Sequence, residues 1–359
     1  MKNTKNPLSK SISKLLLKWF NKNKRPLPWR KNLSPYSVWI SEIMLQQTVL
    51  KTVIPYFNHW MKKYPDIQKL ATAKEKELLT LWEGLGYYNR VRNILKTTKI
   101  ITKKYNGEIP NNYQELIKLP GIGNYTASAI LSIAFGQPHP AIDANIRRIM
   151  QRFLGWKQWN TKQEKQSHLY LQAIIPLENP GGFNEALMEL GQLLCLAKNP
   201  FCPLCPIRKH CYSFKNNLQN KIPAKAFIPS KHKETIILLL IHKNKILITK
   251  KENGILKGLW VLPSSKKNNN NKIRTNKFID EEIASNCLYV GCLSTRTHYY
   301  TQFKEKLYPQ IFSIKKPYKE GRKGWKWVNR DELNLYPFPS VYRKILNEFK
   351  KKKTLHNQM

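Results

Sequence analysis

At 359 residues the chain has room for two domains, each with its own core. Lys and Arg number 63 against 22 Asp and Glu, a formal net charge of +41, which disfavours cationic partners and points to a polyanion, nucleic acid before membrane surface. The basic residues are mostly Lys, and Asn and Ile are also abundant, as in a chain from an AT-rich genome, so codon bias supplies part of that charge. No apolar run is long enough to span a bilayer, and the longest, 236–241, is short, β-branched and reads as a buried strand. No signal-peptide pattern is present, so a cytoplasmic protein with reduced thiols is expected.

In chain order, apolar residues recur at helical spacing over 12–20, 36–47, 67–82, 88–101, 113–119, 125–135, 144–154 and 183–194. Ser34 followed by Pro35 predicts an N-cap with Pro at the first helical position. Thr72 with Glu75 three residues on reads as a capping box. Between two helical segments lies Leu119-Pro-Gly-Ile-Gly123. Gly121 and Gly123 are expected to take positive φ and bring the backbone close to a surface. Amides at the start of the next helix can then hold a phosphate. The same pattern also suits a tight helix–helix turn.

Two carboxylates stand out in this helical part. Glu42 sits among Val38, Trp39 and Leu45 at helical spacing. Desolvation there raises a carboxyl pKa and suits it to general acid work; the plainer reading is a glutamate on a polar helix face. Asp143 precedes the helical run 144–149 and reads as an N-cap, or as a fixed anion beside a cation-like transition state. An acid paired with a carboxylate is what glycosidic bond cleavage needs.

The helical part ends in four cysteines, Cys195, Cys202, Cys205 and Cys211, spaced C-x6-C-x2-C-x5-C in a loop stiffened by Pro200, Pro203 and Pro206. Four thiolates in 17 residues can satisfy one soft metal centre. Zinc sites usually pair two C-x2-C units or add histidines, so the spacing favours one 4Fe–4S cluster over zinc, and either over disulfides. Residues 213–233 are polar and read as a linker. Short strands follow: 235–241 and 245–250 about a His242-Lys243-Asn244 turn, then 287–293, 307–314 and 325–328, with a closing helix at 340–350. The Asn- and Lys-rich stretch 266–277 reads as an extended loop. Cys287 and Cys292 read as ordinary thiols. The expected fold is an all-α domain followed by a smaller α+β domain.

The segments LPWR (27–30), SPYSVWISEIMLQQT (34–48), WEGLGYYNRVRN (82–93), LPGIGNYTA (119–127), AIDANIRRI (141–149) and FNEALMELG (183–191), with the four cysteines, resemble MutY-type adenine DNA glycosylases of the endonuclease III superfamily. The resemblance covers nearly all of 8–212 and more loosely 230–350. It implies a helix-hairpin-helix glycosylase domain over 8–212 with a 4Fe–4S loop at 195–211, a linker over 213–233, and a Nudix-like lesion-recognition domain over 234–350.

The resemblance also implies roles. Glu42 would protonate N7 of a flipped-out adenine, and Asp143 would stabilise the oxocarbenium-like sugar. Trp29, Arg30, Tyr125 and Glu185 would line the adenine pocket. Gln47, Thr48, Leu85 and Tyr87 would fill or border the space left in the duplex and contact the opposing base, 8-oxoguanine in this family. Gly121 and Gly123 would meet the DNA backbone. Relatives that also cut the strand carry a Lys where this chain has Tyr125, and a phenol cannot form their imine, so a monofunctional, monomeric enzyme acting on adenine opposite 8-oxoguanine or guanine is expected.

In the C-terminal part, GILKGLWVLP (254–263) and WKWVNRDEL (325–333) resemble the family's Nudix-like domain. No REUxEExG-type run occurs, so nucleotide hydrolysis is not expected. The family's Phe-Ser-His lesion turn is replaced by Tyr300-Thr301-Gln302. Thr301 keeps the hydroxyl, but the His is gone. Three rivals remain at this point: an endonuclease III-like glycosylase-lyase for oxidised pyrimidines, disfavoured by Tyr125 and the second domain; a catalytically silent iron–sulfur DNA-binding protein, disfavoured by Glu42 and Asp143; and a Nudix hydrolase, disfavoured by the missing acidic run.

Overall fold

The computed structural model describes residues 7–224, 231–266, 287–300, 303–315 and 324–352. Thr301, Gln302 and most of the Asn-rich stretch 266–277 lie outside them. The chain forms two compact units, Met1–Ala73 with Arg92–Ala226, and Lys74–Val91 with Phe227–Met359. Among the described residues no helix is long and apolar enough to cross a membrane.

The first unit is helical: α1 (Pro7–Asn23), α2 (Pro35–Leu45), α3 (Leu50–Lys63) and α4 (Ile67–Ala71) are followed, after an excursion into the other unit, by most of α6 (Asn89–Lys104). Then come α7 (Tyr113–Leu116), α8 (Asn124–Ile133), α9 (Ala144–Leu154), α10 (Thr161–Ile174), α11 (Pro180–Leu193) and α12 (Tyr212–Lys215). Ser34 caps α2 as expected, its side chain accepting from the Ser37 amide. One core gathers Ile12, Leu16 and Phe20 from α1, Ile146, Ile149 and Phe153 from α9, and Phe183, Leu187 and Leu190 from α11. These residues recur every three to four positions, which places them on one stripe of each helix.

Several expectations need correction. The run 67–82 is two helices, α4 and α5 (Glu75–Leu81). Thr72 ends α4, its hydroxyl bonded to the Lys69 carbonyl at 2.9 Å, so it forms no capping box with Glu75. Helix α2 stops at Leu45, because Gln46 leaves helical geometry and Gln47 takes a φ of 56°. Helices α3 and α10 lie outside the periodic runs of the sequence. Pro55 lies inside α3, which continues through it and buries Val53, Phe57 and Trp60 on one face, and α10 buries only Ser167, Leu171 and Ile174. Within the stretch 213–233, the Ile222 carbonyl accepts from Arg152 Nε at 2.8 Å and the Ala224 amide donates to Lys157 O at 2.9 Å, while 225–230 lie outside the described residues.

The second unit is a mixed sheet backed by one long helix. β1 (Lys231–His242) turns directly into β2 (Lys245–Lys250), with Lys243 at positive φ. The short strands β3 (Trp260–Val261) and β4 (Ser264–Lys266) pair with β2 and β1. β5 (Cys287–Cys292), β6 (Arg296–Tyr299) and β7 (Phe303–Ile314) follow, and β7 runs parallel to β1. β8 (Trp325–Asn329) pairs with β2. β1 is buried without a break from Thr235 to Ile241. Its odd residues Ile237, Leu239 and Ile241 face a core shared with α13 (Ser340–Lys351), and its even residues Ile236, Leu238 and Leu240 face a second core on the other side. A strand buried on both faces needs the unbroken apolar run that its sequence shows.

Candidate active site

Glu42 lies in α2, where every residue from Tyr36 to Met44 is buried. The helix has no polar face, so the surface-glutamate reading fails: Glu42 is only 5% exposed. Burial pushes its pKa up to about 7; a hydrogen bond from Tyr125 pulls the other way, and Asp143 and Glu185 add to the rise against the nearby Arg30. The Tyr125 hydroxyl donates to Glu42 Oε2 and lies 3.7 Å from Met188 Sδ. Tyr125 is itself held well above its usual pKa, first by burial and then by Glu42 and Asp143. The phenol therefore stays protonated and remains a donor.

Asp143 is the N-cap of α9 and accepts from the Ile146 amide at 2.7 Å. Its other oxygen accepts from Asn145 Nδ2, also at 2.7 Å. Burial raises its pKa, while the Ile146 amide and the Asn145 side chain pull it back. The N-cap reading holds, and the cap bonds place a carboxylate in electrostatic reach of Glu42. Arg148 Nη2 donates to Asn145 Oδ1 at 2.9 Å, and Arg148 also bonds the carbonyls of Gly191 and Cys195, both at 2.8 Å. A continuous set of bonds thus runs from Asp143 to the first cysteine.

Beside Glu42 opens a recess of about 470 Å³ whose lining includes Trp29, Arg30, Leu45, Glu185, Met188 and Glu189. Tyr125 touches Glu42 but is not among the lining residues. Arg30 Nε donates to Glu185 at 2.7 Å and Arg30 Nη2 to Glu189 at 3.1 Å. Arg25 forks onto Glu189 at 2.6 and 3.0 Å. Although burial opposes it, these two arginines hold Glu189 below its usual pKa. Trp29 is buried edge-on to Phe57, ring centroids 5.3 Å apart. Sequence reasoning misses Arg25 and Glu189, although a signal for them exists: Glu185 and Glu189 are four apart on α11, and Arg25 and Arg30 bracket Trp29.

The hairpin joins α7 to α8. Gly121 has a φ of 82°, and a Cβ there would come within 2.8 Å of the Asn93 Cβ, so only glycine fits. Gly123 departs from expectation. Its φ is −96°, an ordinary value, and it serves as the N-cap of α8 with open space over its Cβ position. Lacking a side chain, it leaves the first amides of α8 uncovered. Gln47 is exposed, and Thr48 Oγ1 donates to the Gln46 carbonyl at 3.3 Å. In the second unit Tyr87 is 46% exposed while Leu85 is buried.

The four cysteines line one apolar recess of about 430 Å³, with Ile149, Phe153, Leu190 and Ile207 among its walls. All four are free thiols. Burial pushes Cys205 up to about 12; an Ile207 amide opposes this, and Cys195, Cys211 and Cys202 add to it. Arg152 Nη1 lies 3.3 Å from Cys195 Sγ. A set of sulfurs sharing one apolar recess, with N–H donors aimed at them, fits a thiolate-bound cluster. Among the described residues no group of three or more ligating side chains is drawn together around a single point.

Residues 40–173 match the HhH-GPD superfamily of base excision DNA repair proteins, and residues 236–348 match the NUDIX domain. An adenine DNA glycosylase of Buchnera aphidicola subsp. Schizaphis graminum is 35% identical over 94% of this chain and 99% of its own length. That of Buchnera aphidicola subsp. Baizongia pistaciae is 42% identical over 69% of this chain and 72% of its own. Among solved structures, a trapped endonuclease III–DNA covalent intermediate is similar with a TM-score of 0.51 and 28% identity, over 60% of this chain and all of that one.

Proposed function

The chain belongs to the MutY-type adenine DNA glycosylases, HhH-GPD enzymes that hydrolyse the N-glycosidic bond in base excision repair, and on that premise we propose that it removes adenine facing 8-oxoguanine, or guanine, without cutting the strand. One observation carries the chemistry: Glu42 is a buried carboxyl whose pKa is raised to about 7, so near neutral pH it can still hold a proton. Adenine is a poor leaving group until a ring nitrogen is protonated. Glu42 gives its proton to N7 of the flipped base, and the Tyr125 hydroxyl steadies the carboxylate left behind. Asp143, kept anionic by the Ile146 and Asn145 donors, faces the positive charge that grows on the sugar. Water completes the reaction.

The recess beside Glu42 would take the base once it leaves the stack, since the acid cannot reach its target within stacked DNA. Trp29, Arg30 and Glu185 line it. Tyr125 acts through Glu42 in this reading. The α8 amides next to Gly121 and Gly123 would hold a phosphate, while Gln47, Thr48, Leu85 and Tyr87 would meet the gap and the opposing base. Cys195, Cys202, Cys205 and Cys211 would hold one 4Fe–4S cluster, which supplies rigidity to a loop with little core of its own. Thr301 would contact 8-oxoguanine and favour it over guanine.

The test is a duplex with adenine opposite 8-oxoguanine, analysed with and without alkali. Free adenine with strands that break only on alkali is the expected result. Strand breakage in step with base release, with efficient borohydride trapping, would overturn the monofunctional assignment, and Tyr125→Lys should raise such trapping because an amine can form the imine. Iron analysis should give about four irons per chain, as in a four-cysteine cubane; stoichiometric zinc without iron would refute the cluster.

A further inference from the structure

The segment Lys74–Val91 comes from the middle of the helical sequence, yet it packs as part of the second unit. It carries Tyr87 at the tip of a turn with three departures to positive φ: Gly84 at 104°, Gly86 at 71° and Tyr87 at 49°. The turn is braced from within. Trp82 Nε1 donates to the Gly86 carbonyl at 3.0 Å, and Arg90 Nη2 donates to the carbonyls of Leu85 and Gly86 at 3.0 and 3.1 Å.

It is also tied from outside. Both oxygens of Glu83 accept from Arg343 in α13, Oε1 from Nε and Oε2 from Nη2 at 2.9 Å, and Oε2 also accepts from the Phe338 amide at 3.3 Å. The Tyr88 hydroxyl donates to the Phe338 carbonyl at 3.1 Å. Arg343 is fixed in turn by the carbonyls of Leu333 and Tyr336 at 3.2 and 2.8 Å, and its guanidinium lies 5.0 Å from the Phe338 ring. Glu83 and Tyr88 flank the tip on either side, and both end on the same residue, Phe338. A fork-to-fork Arg–carboxylate pair sets direction as well as distance, so the two ties fix where the tip points.

We infer that Glu83 and Arg343 are positioning residues for recognition of the opposing base: through them the C-terminal unit holds the Trp82–Tyr88 turn and sets the aim of Tyr87. The inference rests on the reading of Tyr87 as an opposing-base contact. It gives the C-terminal unit a route into recognition that does not depend on Thr301.

The experiment uses the full chain and duplexes with adenine opposite 8-oxoguanine or guanine, comparing Glu83→Gln, Tyr87→Ala and their combination. Glu83→Gln should raise KM on the 8-oxoguanine duplex about tenfold, with the single-turnover rate at saturation nearly unchanged, the mark of lost positioning and not lost chemistry. The double variant should be little worse than Tyr87→Ala, because both changes act through one turn. Wild-type behaviour of Glu83→Gln beside an impaired Tyr87→Ala would overturn the inference, as would full additivity. An unaffected Tyr87→Ala would sink the contact reading, and this inference with it. Should Glu83→Gln fold poorly, amide exchange on the unaltered protein decides. Adding the duplex should slow exchange at Gly86, Tyr87 and Phe338 together, and protection of the turn without Phe338 would count against the tie.

Discussion

Two glutamates, one in each unit, are buried to the same degree, and they have different partners. Glu42 and Glu305 are each 5% exposed. Glu305, on β7, meets Lys233 Nζ at 2.9 Å and accepts from Thr235 Oγ1 at 2.6 Å, both from the neighbouring strand β1. Glu42 has no ion pair among the described residues; its bonded partner is a neutral phenol, and the other charges shifting it are mostly carboxylates. Burial alone therefore does not make an acid. A buried carboxyl gains a compensating charge where a cation reaches it, while one with like charges around it has its pKa raised, as Glu42 does.

The largest break in that comparison comes from Glu42→Gln. The amide has no proton to give, so base excision should fall by roughly 100- to 10,000-fold, the range general acid catalysis supplies, while affinity for the mispaired duplex survives. Near-normal single-turnover excision would remove Glu42 from the role. Glu305→Gln should leave the chemical step intact. In the wild-type protein the pH profile should show the same asymmetry. Excision should fall above about pH 7, where Glu42 loses its proton. It should also fall at low pH as Asp143 is protonated, its burial having raised its pKa from the ordinary aspartate value.

The two units also differ in how much of them is legible in the sequence. The cysteine loop, the hairpin turn at Gly121 and the Asp143 cap are legible, because close spacing, turn geometry and capping are local along the chain. The helix α2 around Glu42 is legible as a helix but not as a buried one; its polar residues Ser37, Ser41 and Glu42 imitate a solvent face, and only packing shows that none exists. The Arg25–Glu189 and Glu83–Arg343 pairs join residues 164 and 260 positions apart. Nothing local marks such partners. The transfer of Lys74–Val91 to the second unit is invisible for the same reason: the helical pattern continues through it, and the ties that reassign it come from the far end of the chain.

Stability should sharpen the contrast by changing sign. In the folded protein Glu42 titrates near 7, above its unfolded value, so the folded state binds the extra proton. Its contribution is full below the unfolded pKa and is lost as pH rises toward about 7. At pH 8 Glu42→Gln should therefore stabilise the helical unit, by roughly 3 kcal/mol for a shift of this size, and should have little effect at pH 4. Glu305→Gln should act the other way at pH 8. It breaks the Lys233 pair, whose lysine is nearly half exposed, so the loss is about 1 kcal/mol after solvent screening. Hydrogen exchange reads each unit separately; a destabilising Glu42→Gln at pH 8 would show that the carboxyl is paired after all.

The smallest effect is the most diagnostic of how Glu42 is tuned. The Tyr125 hydrogen bond favours the ionised carboxylate and so lowers a pKa that burial raises. Tyr125→Phe removes the hydroxyl and keeps the ring that fills the site. Glu42 should then hold its proton more tightly, and the alkaline limb of the excision profile should move to higher pH. Below pH 6 the rate should drop only several-fold, since a single lost hydrogen bond is worth about 1 kcal/mol and the proton donor itself remains. The two readouts separate the possible roles of the phenol. A limb that moves up with a modest rate loss identifies Tyr125 as the group that trims the acidity of Glu42 and steadies the carboxylate formed when the proton leaves. A limb that stays in place would mean that burial and the neighbouring Asp143 and Glu185 set the acidity by themselves. A limb that moves down would reverse the sign and imply that the hydroxyl accepts the Glu42 proton in the resting enzyme instead of donating its own.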